Sequence, residues 1–518
     1  MTARIPDVLR PEHPEPRPLA QLGEVPGVRA IDEVGDLAVT GATVRTNEVA
    51  PGDLFVALRG ANAHGAQYAA EAAAAGAIAV LTDPEGAGLA AGSGLVRFVA
   101  DDPRAVLGAV SVWLYGTDAP GRPRLYGITG TNGKTSTAYL LEAVLKQLGE
   151  VTGLSSTAER HIGDLSVVSR LTTPEASELH ALLARMREAG VQSVAVEVSA
   201  QALTSRRVDG LLFDVVGFTT LSHDHLDDYG DMDTYLASKL ELFTPERGRR
   251  GVVSLDTPWG GRVAAEARIP VVTVASAAAP EAAQADWVVE ITAERRDGSD
   301  FTVRSRDGVE LSSATPVIGR HMVSNAALAL VMAIEGGWTA DAVQEAVRDG
   351  IHAYLPGRTE LVSGPSGPAV YVDFGHSSEA FANTLEAVRR FTPGKVLMLF
   401  GSDGDRDPSK RPEMARTAAA GSDILMITDH HPRFEDPDSI RATLLAAARE
   451  AYPGREIHEV SPPEAAIRAA IALVGEGDSI LWAGPGHQDY RDIRGVRTPY
   501  SAREEARRAL AEAGWPPA

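Results

Sequence analysis

The segment LYGITGTNGKTSTAYLLEAVLKQLG, residues 125–149, decides the fold of this chain. The apolar strand LYGIT runs into a glycine-rich turn, and a helical pattern follows. Glycines let the backbone wrap a phosphate, and the first N–H groups of the helix donate to it. Lys134 is suited to neutralise the β- and γ-phosphates, and the Thr135 hydroxyl is suited to Mg²⁺. The segment predicts a nucleoside triphosphate site formed by Gly130, Thr131, Asn132, Gly133, Lys134, Thr135 and Ser136.

The spacing of this turn is shorter than that of the general phosphate loop. The general pattern requires a glycine at position 128, where this chain has Ile128. The sequence contains nothing that resembles a guanine-specificity motif. ATP, together with Mg²⁺, is therefore the expected nucleotide.

Strands alternate with helices along the rest of the chain, as in SVAVEVS and VVTVA before residue 280 and in KVLMLF and DSILWAG after residue 390. Such alternation predicts an α/β fold with mostly parallel sheets. A chain of 518 residues is expected to form about three domains. The Pro/Gly-rich stretches DAPGRPR and IHAYLPGR predict boundaries that give domains 1–118, 119–356 and 357–518.

Composition restricts the partners of the protein. With 49 Lys and Arg against 70 Asp and Glu, the net charge is -21. Such a surface repels nucleic acid and anionic membranes. There are no cysteines, no apolar run of about 18 residues and no signal-peptide core, which predicts a cytoplasmic protein, expected to be a monomer. The proline- and charge-rich first twenty residues are expected to be ordered only if they dock.

The loop GTNGKT, with several motifs downstream of it, resembles that of the Mur ligases, the ATP-dependent amino-acid ligases of peptidoglycan synthesis. The resemblance runs from about Asp53 to Tyr500. It implies a central domain with a P-loop ATPase-like parallel sheet and a Rossmann-like C-terminal domain. It further implies that the N-terminal domain binds a UDP-type substrate, the central domain binds ATP and the C-terminal domain binds an amino acid.

The same resemblance implies a metal site. Glu197, which follows the apolar run SVAV, would hold Mg²⁺ together with Thr135, and His225 in SHDHLD would bind a second Mg²⁺. Lys239 matches the lysine that the family carbamylates, a change that converts an amine into an anion able to coordinate metal. The resemblance thus assigns catalytic roles to Lys134, Lys239 and His225.

The remaining motifs imply two further groups of binding residues. Asn325 would contact adenine, and Arg358 and Asp373 would reach ATP from the C-terminal domain. The residues expected to bind the acceptor or the amino acid are Thr172, Thr173, Ser199, Arg207, Arg406, His430, His431, Arg433, Gly484 and Gln488.

The amino-acid motifs depart from the family pattern. Members that add diaminopimelate have Asp-Asn-Pro-Arg and Gly-Lys-Gly-His-Glu, where this chain has HHPR at 430–433 and GPGHQ at 484–488. Arg406 and Arg433 can still grip a carboxylate. Gln488 replaces a carboxylate that would pair with the distal ammonium of diaminopimelate. The departure indicates a different, or differently held, amino acid, although a conservative polar exchange also fits the two histidines.

Three functions are compatible with these residues. The first is an ADP-forming ligase that activates a carboxylate as an acyl phosphate and joins it to an amino acid, adding the third residue to UDP-N-acetylmuramoyl-L-alanyl-D-glutamate. The second is a paralogue that joins an amino acid to a different carboxylate in a specialised-metabolite pathway. The third is a non-catalytic nucleotide-binding partner protein.

Overall fold

Three large β-sheets follow one another along the described part of the chain, each with helices packed against it, and two pairs of short strands accompany them. The structure is a computed structural model that describes residues 8–60, 62–222 and 226–516. Within that part of the chain no helix is both long and apolar enough to cross a bilayer. The predicted domain limits at 118 and 356 remain predictions.

The N-terminal sheet has five strands in the order β2-β7-β6-β5-β4, with β4 to β7 parallel. The strands of this region are β1 Arg17–Pro18, β2 Arg29–Ala30, β3 Ala38–Val39, β4 Gly41–Thr43, β5 Asp53–Val56, β6 Ala79–Thr82 and β7 Val96–Val99. Its helices are α1 Ala69–Ala74, α2 Pro84–Leu89 and α3 Pro103–Tyr115. The Asp102 carboxylate caps α3, and Gly116, in the left-handed conformation with φ 58°, ends it.

The segment that precedes this sheet docks on two elements. The Arg10 guanidinium donates to both carboxylate oxygens of Asp53 at 2.7 Å. Glu188, at the end of a helix of the central region, accepts the backbone N–H groups of Glu12 and His13 at 2.8 Å. This segment was expected to be ordered only if it docked on the rest of the protein, and these contacts dock its described residues.

The central sheet has eleven strands in the order β11-β10-β9-β12-β8-β13-β14-β15-β16-β17-β18. They are β8 Arg124–Thr129, β9 Thr152–Ser155, β10 Glu159–Ile162, β11 Leu165–Val168, β12 Ser193–Glu197, β13 Val215–Phe218, β14 Gly251–Ser254, β15 Val271–Ser276, β16 Trp287–Arg295, β17 Gly298–Ser305 and β18 Glu310–Thr315. The helices are α4 Lys134–Gln147, α5 Ala176–Glu188, α6 Ala200–Thr204, α7 Leu226–Tyr229, α8 Met232–Leu240, α9 Pro258–Glu266, α10 Arg320–Glu335 and α11 Ala340–Val347.

The strands from β9 to β16 in this order are parallel, and antiparallel strands extend both edges. Strand β8 lies between β12 and β13, so its carboxyl end opens at the middle of the sheet. Parallel sheets build their sites at the carboxyl ends of the strands. The helices α4 and α10 lie against each other and share the same buried apolar cluster.

The C-terminal sheet has six strands in the order β19-β20-β24-β21-β22-β23, and only β19 is antiparallel. The strands are β19 Glu360–Leu361, β20 Ala369–Asp373, β21 Val396–Phe400, β22 Ile424–Ile427, β23 Glu456–Glu459 and β24 Ser479–Ala483, and a hairpin follows as β25 Tyr490–Ile493 and β26 Val496–Pro499. The helices are α12 Ser378–Phe391, α13 Arg411–Gly421, α14 Pro437–Ala451, α15 Pro463–Ala472 and α16 Ala502–Glu512. Helices cover both faces of the four central strands, as expected for an α/β fold.

Candidate active site

The glycine-rich turn follows β8 and leads directly into α4. Gly130 has φ 146° and Gly133 has φ 87°, conformations that side chains rarely adopt. A Cβ on Gly130 would lie 1.9 Å from the Thr219 hydroxyl oxygen, and one on Gly133 would lie 2.6 Å from the Asn325 side-chain oxygen. Both positions therefore require glycine. The turn leads directly into α4, and the N-terminus of a helix is suited to bind a phosphate.

Two lysines converge on the turn. The Lys134 ammonium donates to the carbonyl oxygens of Gly130 and Thr131 at 3.0 and 2.8 Å. The Lys239 ammonium donates to the same Gly130 oxygen at 2.9 Å and lies 4.3 Å from the centre of the Tyr235 ring. Lys239 is only 1% exposed. The fold thus brings a buried lysine of α8 to the phosphate loop.

Glu197 ends β12 and is fully buried. Its carboxylate accepts the backbone N–H of Thr157 at 2.8 Å and the Thr157 hydroxyl at 3.0 Å. The Thr172 hydroxyl lies 3.0 Å from that of Thr157, and the Thr173 hydroxyl donates to the Glu197 backbone oxygen at 2.8 Å. The structure therefore gathers the Thr172-Thr173 loop around this carboxylate.

Ser199 and Arg207 support this loop from α6 and the turn after it. The Ser199 backbone N–H donates to the Thr173 hydroxyl at 3.1 Å, and its own hydroxyl caps α6. Arg207 donates to the Glu175 carboxylate at 3.1 Å and to the Thr173 backbone oxygen at 3.4 Å. Both predicted substrate residues thus position the loop in this structure.

Arg358 reaches the phosphate loop from the start of the C-terminal domain. Its guanidinium donates to the Thr135 hydroxyl at 2.9 Å and lies 4.4 Å from the Phe374 ring centre. Burial lowers the pKa of Arg358, and the charge of the nearby Glu197 works in the opposite direction. A half-buried cation therefore contacts the hydroxyl that was predicted to hold Mg²⁺, and the predicted carboxylate ligand lies near enough to act on its charge.

Asn325 lies beside the phosphate loop, and Asp373 lies where the chain enters the C-terminal domain. Asn325, on α10, lies close to Gly133, and its contact with adenine remains a prediction. Asp373 accepts N–H groups from Thr359 at 2.8 Å and from Gly375 at 2.7 Å, so it fixes the chain where it enters the C-terminal domain. The predicted metal ligand His225 lies outside the described residues.

The histidine motif of the C-terminal domain lies beside its glycine-rich partner. The backbone N–H of Asp492 donates to Nδ1 of His431 at 3.0 Å, and Nε2 of His431 lies 2.8 Å from the Gln488 side-chain oxygen. Gly484, with φ 112°, donates to the backbone oxygen of Asp373 at 2.9 Å. His431, Gln488 and Gly484 are thereby brought together at the carboxyl end of the C-terminal sheet.

The two arginines expected to grip a carboxylate differ in their surroundings. Arg433 forms an ion pair with Asp403 at 3.3 Å, and His430 approaches the other oxygen of that carboxylate at 3.4 Å. Arg406 is exposed and forms no ion pair within the described ranges.

Asp403, His430 and His431 could be taken for a metal centre, since one donor atom of each lies within 4.8 Å of the others. Both ring nitrogens of His431 are already used, one as acceptor from Asp492 and one towards Gln488. Binding a metal would break one of these hydrogen bonds. The hydrogen bonds of His431 therefore argue against a metal at this cluster.

Sequence reasoning missed a buried ionic network beside α4. The Tyr139 hydroxyl donates to Glu159 at 2.7 Å, and His161 bridges Glu159 and Glu142 at 3.4 and 2.8 Å. Burial alone would lower the pKa of His161, but hydrogen bonds with Glu142 and Glu159 raise it to about 9. Residues Glu159–Ile162 of β10 show no apolar alternation in the sequence, and the partners of His161 are set by tertiary structure.

Family domains match most of the chain. The Mur ligase family catalytic domain matches residues 38–107, the Mur ligase middle domain matches 128–333 and the Mur ligase glutamate ligase domain matches 357–486. A UDP-N-acetylmuramyl-tripeptide synthetase of Leifsonia xyli subsp. xyli is 55% identical over 99% of this chain and 100% of the relative. A UDP-N-acetylmuramoyl-L-alanyl-D-glutamate--2,6-diaminopimelate ligase of Streptomyces coelicolor is 41% identical over 97% of this chain and 98% of the relative.

Solved structures agree in fold. A 2,6-diaminopimelate ligase acting on UDP-N-acetylmuramoyl-L-alanyl-D-glutamate has a TM-score of 0.66 at 24% identity, covering 95% of this chain and 99% of the other. The MurF ligase of Thermotoga maritima in complex with ADP has a TM-score of 0.65 at 17% identity, covering 91% and 97%. At such identities the likeness establishes the three-domain α/β architecture alone.

Proposed function

The chain belongs to the Mur ligase family, and on that premise we propose that it adds the third residue to UDP-N-acetylmuramoyl-L-alanyl-D-glutamate in peptidoglycan synthesis. It is an ATP-dependent ligase that forms an amide bond and releases ADP. The observation that carries the proposed substrate is the 55% identity to a tripeptide synthetase along essentially the whole of both chains. The family assignment favours an enzyme over the non-catalytic partner protein.

The phosphate loop is the proposed site of ATP. The N–H groups at the start of α4 would hold the β-phosphate, and Lys134 would exchange its carbonyl contacts for the β- and γ-phosphates. Asn325, beside Gly133, would face the adenine. Phosphoryl transfer depends mainly on positioning and charge neutralisation, which this loop supplies.

The residues at the loop fit Mg²⁺. Thr135 and Glu197 offer the hydroxyl and carboxylate oxygens that this ion prefers, and the Arg358 guanidinium already occupies the neighbourhood of both as a cation. When bound, Mg²⁺ would neutralise phosphate charge. Arg358 would then turn to the nucleotide, while Asp373 holds the chain from which it extends.

The environment of Lys239 supports its proposed carbamylation. Two ammonium groups that donate to one carbonyl oxygen repel each other, and Lys239 is buried where water screens that repulsion least. A carbamate would replace one of the two positive charges by a negative one. The resulting oxygens would face Lys134 and, with His225, a second Mg²⁺.

The reaction would proceed in two steps. The acceptor carboxylate attacks the γ-phosphorus of ATP, forming an acyl phosphate and ADP. The amine of the amino acid then attacks the acyl carbon, and the tetrahedral intermediate expels inorganic phosphate. Thr172, Thr173, Ser199 and Arg207 would hold the acceptor, and Arg406 would hold the amino-acid carboxylate, since Arg433 is engaged by Asp403. We infer a cytoplasmic monomer that acts on these small molecules.

Positional isotope exchange tests the first step. ATP labelled with ¹⁸O in the β,γ-bridge should scramble its label when UDP-N-acetylmuramoyl-L-alanyl-D-glutamate is present and the amino acid is omitted. Scrambling that needs a different carboxylate would favour the specialised-metabolite alternative. Scrambling that ignores every carboxylate would contradict an acyl phosphate intermediate.

A further inference from the structure

The histidines and the glutamine of the amino-acid motifs of the C-terminal domain are uncharged, and we propose that the amino acid these motifs select carries an uncharged, oxygen-bearing side chain rather than a second ammonium group. This inference rests on the proposed ligase function and specifies its second substrate. It depends on three features of the structure: the protonation state of His431, the protonation state of His430 and the ion pairs of four neighbouring carboxylates.

The hydrogen bonds of His431 fix its charge. Because the Asp492 backbone N–H donates to Nδ1 at 3.0 Å, that nitrogen carries no proton. The proton is on Nε2, which donates to the Gln488 side-chain oxygen at 2.8 Å. The imidazole is therefore neutral, and its burial, which lowers the pKa of His431, acts in the same direction.

This hydrogen bond also orients Gln488. The amide oxygen must face His431, since the opposite orientation would place two N–H donors against each other. The Gln488 oxygen is therefore already in use, and the N–H groups of the amide are what Gln488 can offer a ligand. Such donors suit a hydroxyl or carbonyl oxygen, whereas an ammonium group requires an acceptor.

His430 is neutral as well. Its ring centre lies 4.1 Å from that of His431, and burial lowers the pKa of His430 to about 3. At neutral pH neither histidine carries charge. An imidazole nitrogen is also a weaker partner for an ammonium group than a carboxylate.

Four carboxylates near the two motifs are paired with an arginine of the same domain. These pairs are Asp403 with Arg433 at 3.3 Å, Glu435 with Arg411 at 2.9 Å, Asp489 with Arg503 at 3.1 Å, and Asp429 with Arg441. At each of these four carboxylates a substrate ammonium would compete with a guanidinium. The motifs therefore provide hydrogen bonds without a net negative charge.

Pairs of amino acids that differ only in a terminal hydroxyl or ammonium test this inference. L-Homoserine is compared with L-diaminobutyrate, hydroxynorvaline with L-ornithine, and hydroxynorleucine with L-lysine, with meso-diaminopimelate as an additional substrate. The full chain receives ATP, Mg²⁺ and UDP-N-acetylmuramoyl-L-alanyl-D-glutamate, and kcat/KM for amide formation is measured for each. We expect the hydroxyl member of the best pair to exceed its ammonium partner at least tenfold.

The variant Gln488→Glu provides the second readout. It restores a carboxylate beside His431 and should shift the hydroxyl-to-ammonium ratio at least tenfold towards the ammonium member. Gln284→Glu makes the same chemical change at an exposed position of the central domain and should leave the ratio unchanged. If Gln488→Glu does not fold, the wild-type ratios decide alone.

The possible results separate the two proposals. Wild-type preference for an ammonium member or for diaminopimelate would overturn the inference while leaving the ligase function intact. An unchanged ratio in a folded Gln488→Glu variant would also overturn it. Isotope exchange that fails with the acceptor would overturn the proposed function, and the inference with it.

Discussion

The ionic network beside α4 makes a quantitative prediction about the stability of the central domain. His161 lies between Glu142 and Glu159, and its side chain is 13% exposed. Replacing it by glutamine keeps a neutral hydrogen-bonding group but removes the positive charge. We therefore expect His161→Gln to destabilise the fold wherever wild-type His161 is protonated.

The pKa of His161 sets the magnitude. It is raised from 6.5 to about 9, because hydrogen bonds with Glu142 and Glu159 outweigh burial, which is the largest single influence and lowers it. At about 1.4 kcal/mol per pH unit, the raised value corresponds to about 3 kcal/mol of stability. For a group whose folded pKa is raised, that stability is complete below pH 6.5 and is lost as the pH rises through 9.

Hydrogen exchange provides the assay, because a three-domain chain need not unfold in one step. Urea denaturation is followed by pulsed hydrogen exchange and mass spectrometry of peptides from α4 and β10. The difference in free energy of unfolding between wild type and His161→Gln should be about 3 kcal/mol at pH 6 and close to zero near pH 9.5. The exposed His352 gives a matched control, His352→Gln, which should show no difference at either pH. If the free-energy difference between wild type and His161→Gln were the same at pH 6 and near pH 9.5, the charged network would be refuted.

Three further predictions concern the phosphate loop and the N-terminal segment. Lys134→Ala should lower kcat for ADP release by about 10²–10³, the effect of removing a group that neutralises transition-state charge, and full activity would contradict the phosphate-loop assignment. Lys239→Ala should lose activity that added small carboxylates partly restore, whereas undiminished activity of the variant without them would count against a carbamate at this position. Asp53→Ala leaves the partly buried Arg10 without its carboxylate, a loss of up to about 3 kcal/mol, the lower end for a buried pair; limited proteolysis should then cut within residues 8–18, and unchanged resistance would exclude a role in docking that segment.

The parallel centre of the fold could be predicted from the sequence, but the edges of the central sheet could not. The phosphate-loop strand and helix were predicted from residues 125–149, and the structure places β8 and α4 there. The antiparallel pairing of β16 with β17 and of β17 with β18 was not predicted. Asp297-Gly298 and Asp307-Gly308, each between alternating runs, are typical hairpin signals that would have revealed it. The alternation of strands and helices elsewhere favoured mostly parallel pairing.

The candidate site could be predicted as a set of residues but not as a set of contacts. Short motifs identified Glu197 and Lys239 through family resemblance, yet only the fold shows that Lys239 shares the Gly130 carbonyl with Lys134. The partners of His161 come from a strand and a helix that pack in three dimensions, so no local pattern identifies them. The roles of the site residues remain predictions, and His225 itself lies outside the described residues.

ADP release tests the central claim most directly. Purified protein with ATP and Mg²⁺ is offered single amino acids with and without UDP-N-acetylmuramoyl-L-alanyl-D-glutamate, and the product is identified by mass spectrometry. The ligase function predicts ADP release that requires both the acceptor and one amino acid, with a product heavier than the acceptor by that residue. Release with some other carboxylate, and none with this acceptor, would contradict the assignment to peptidoglycan synthesis.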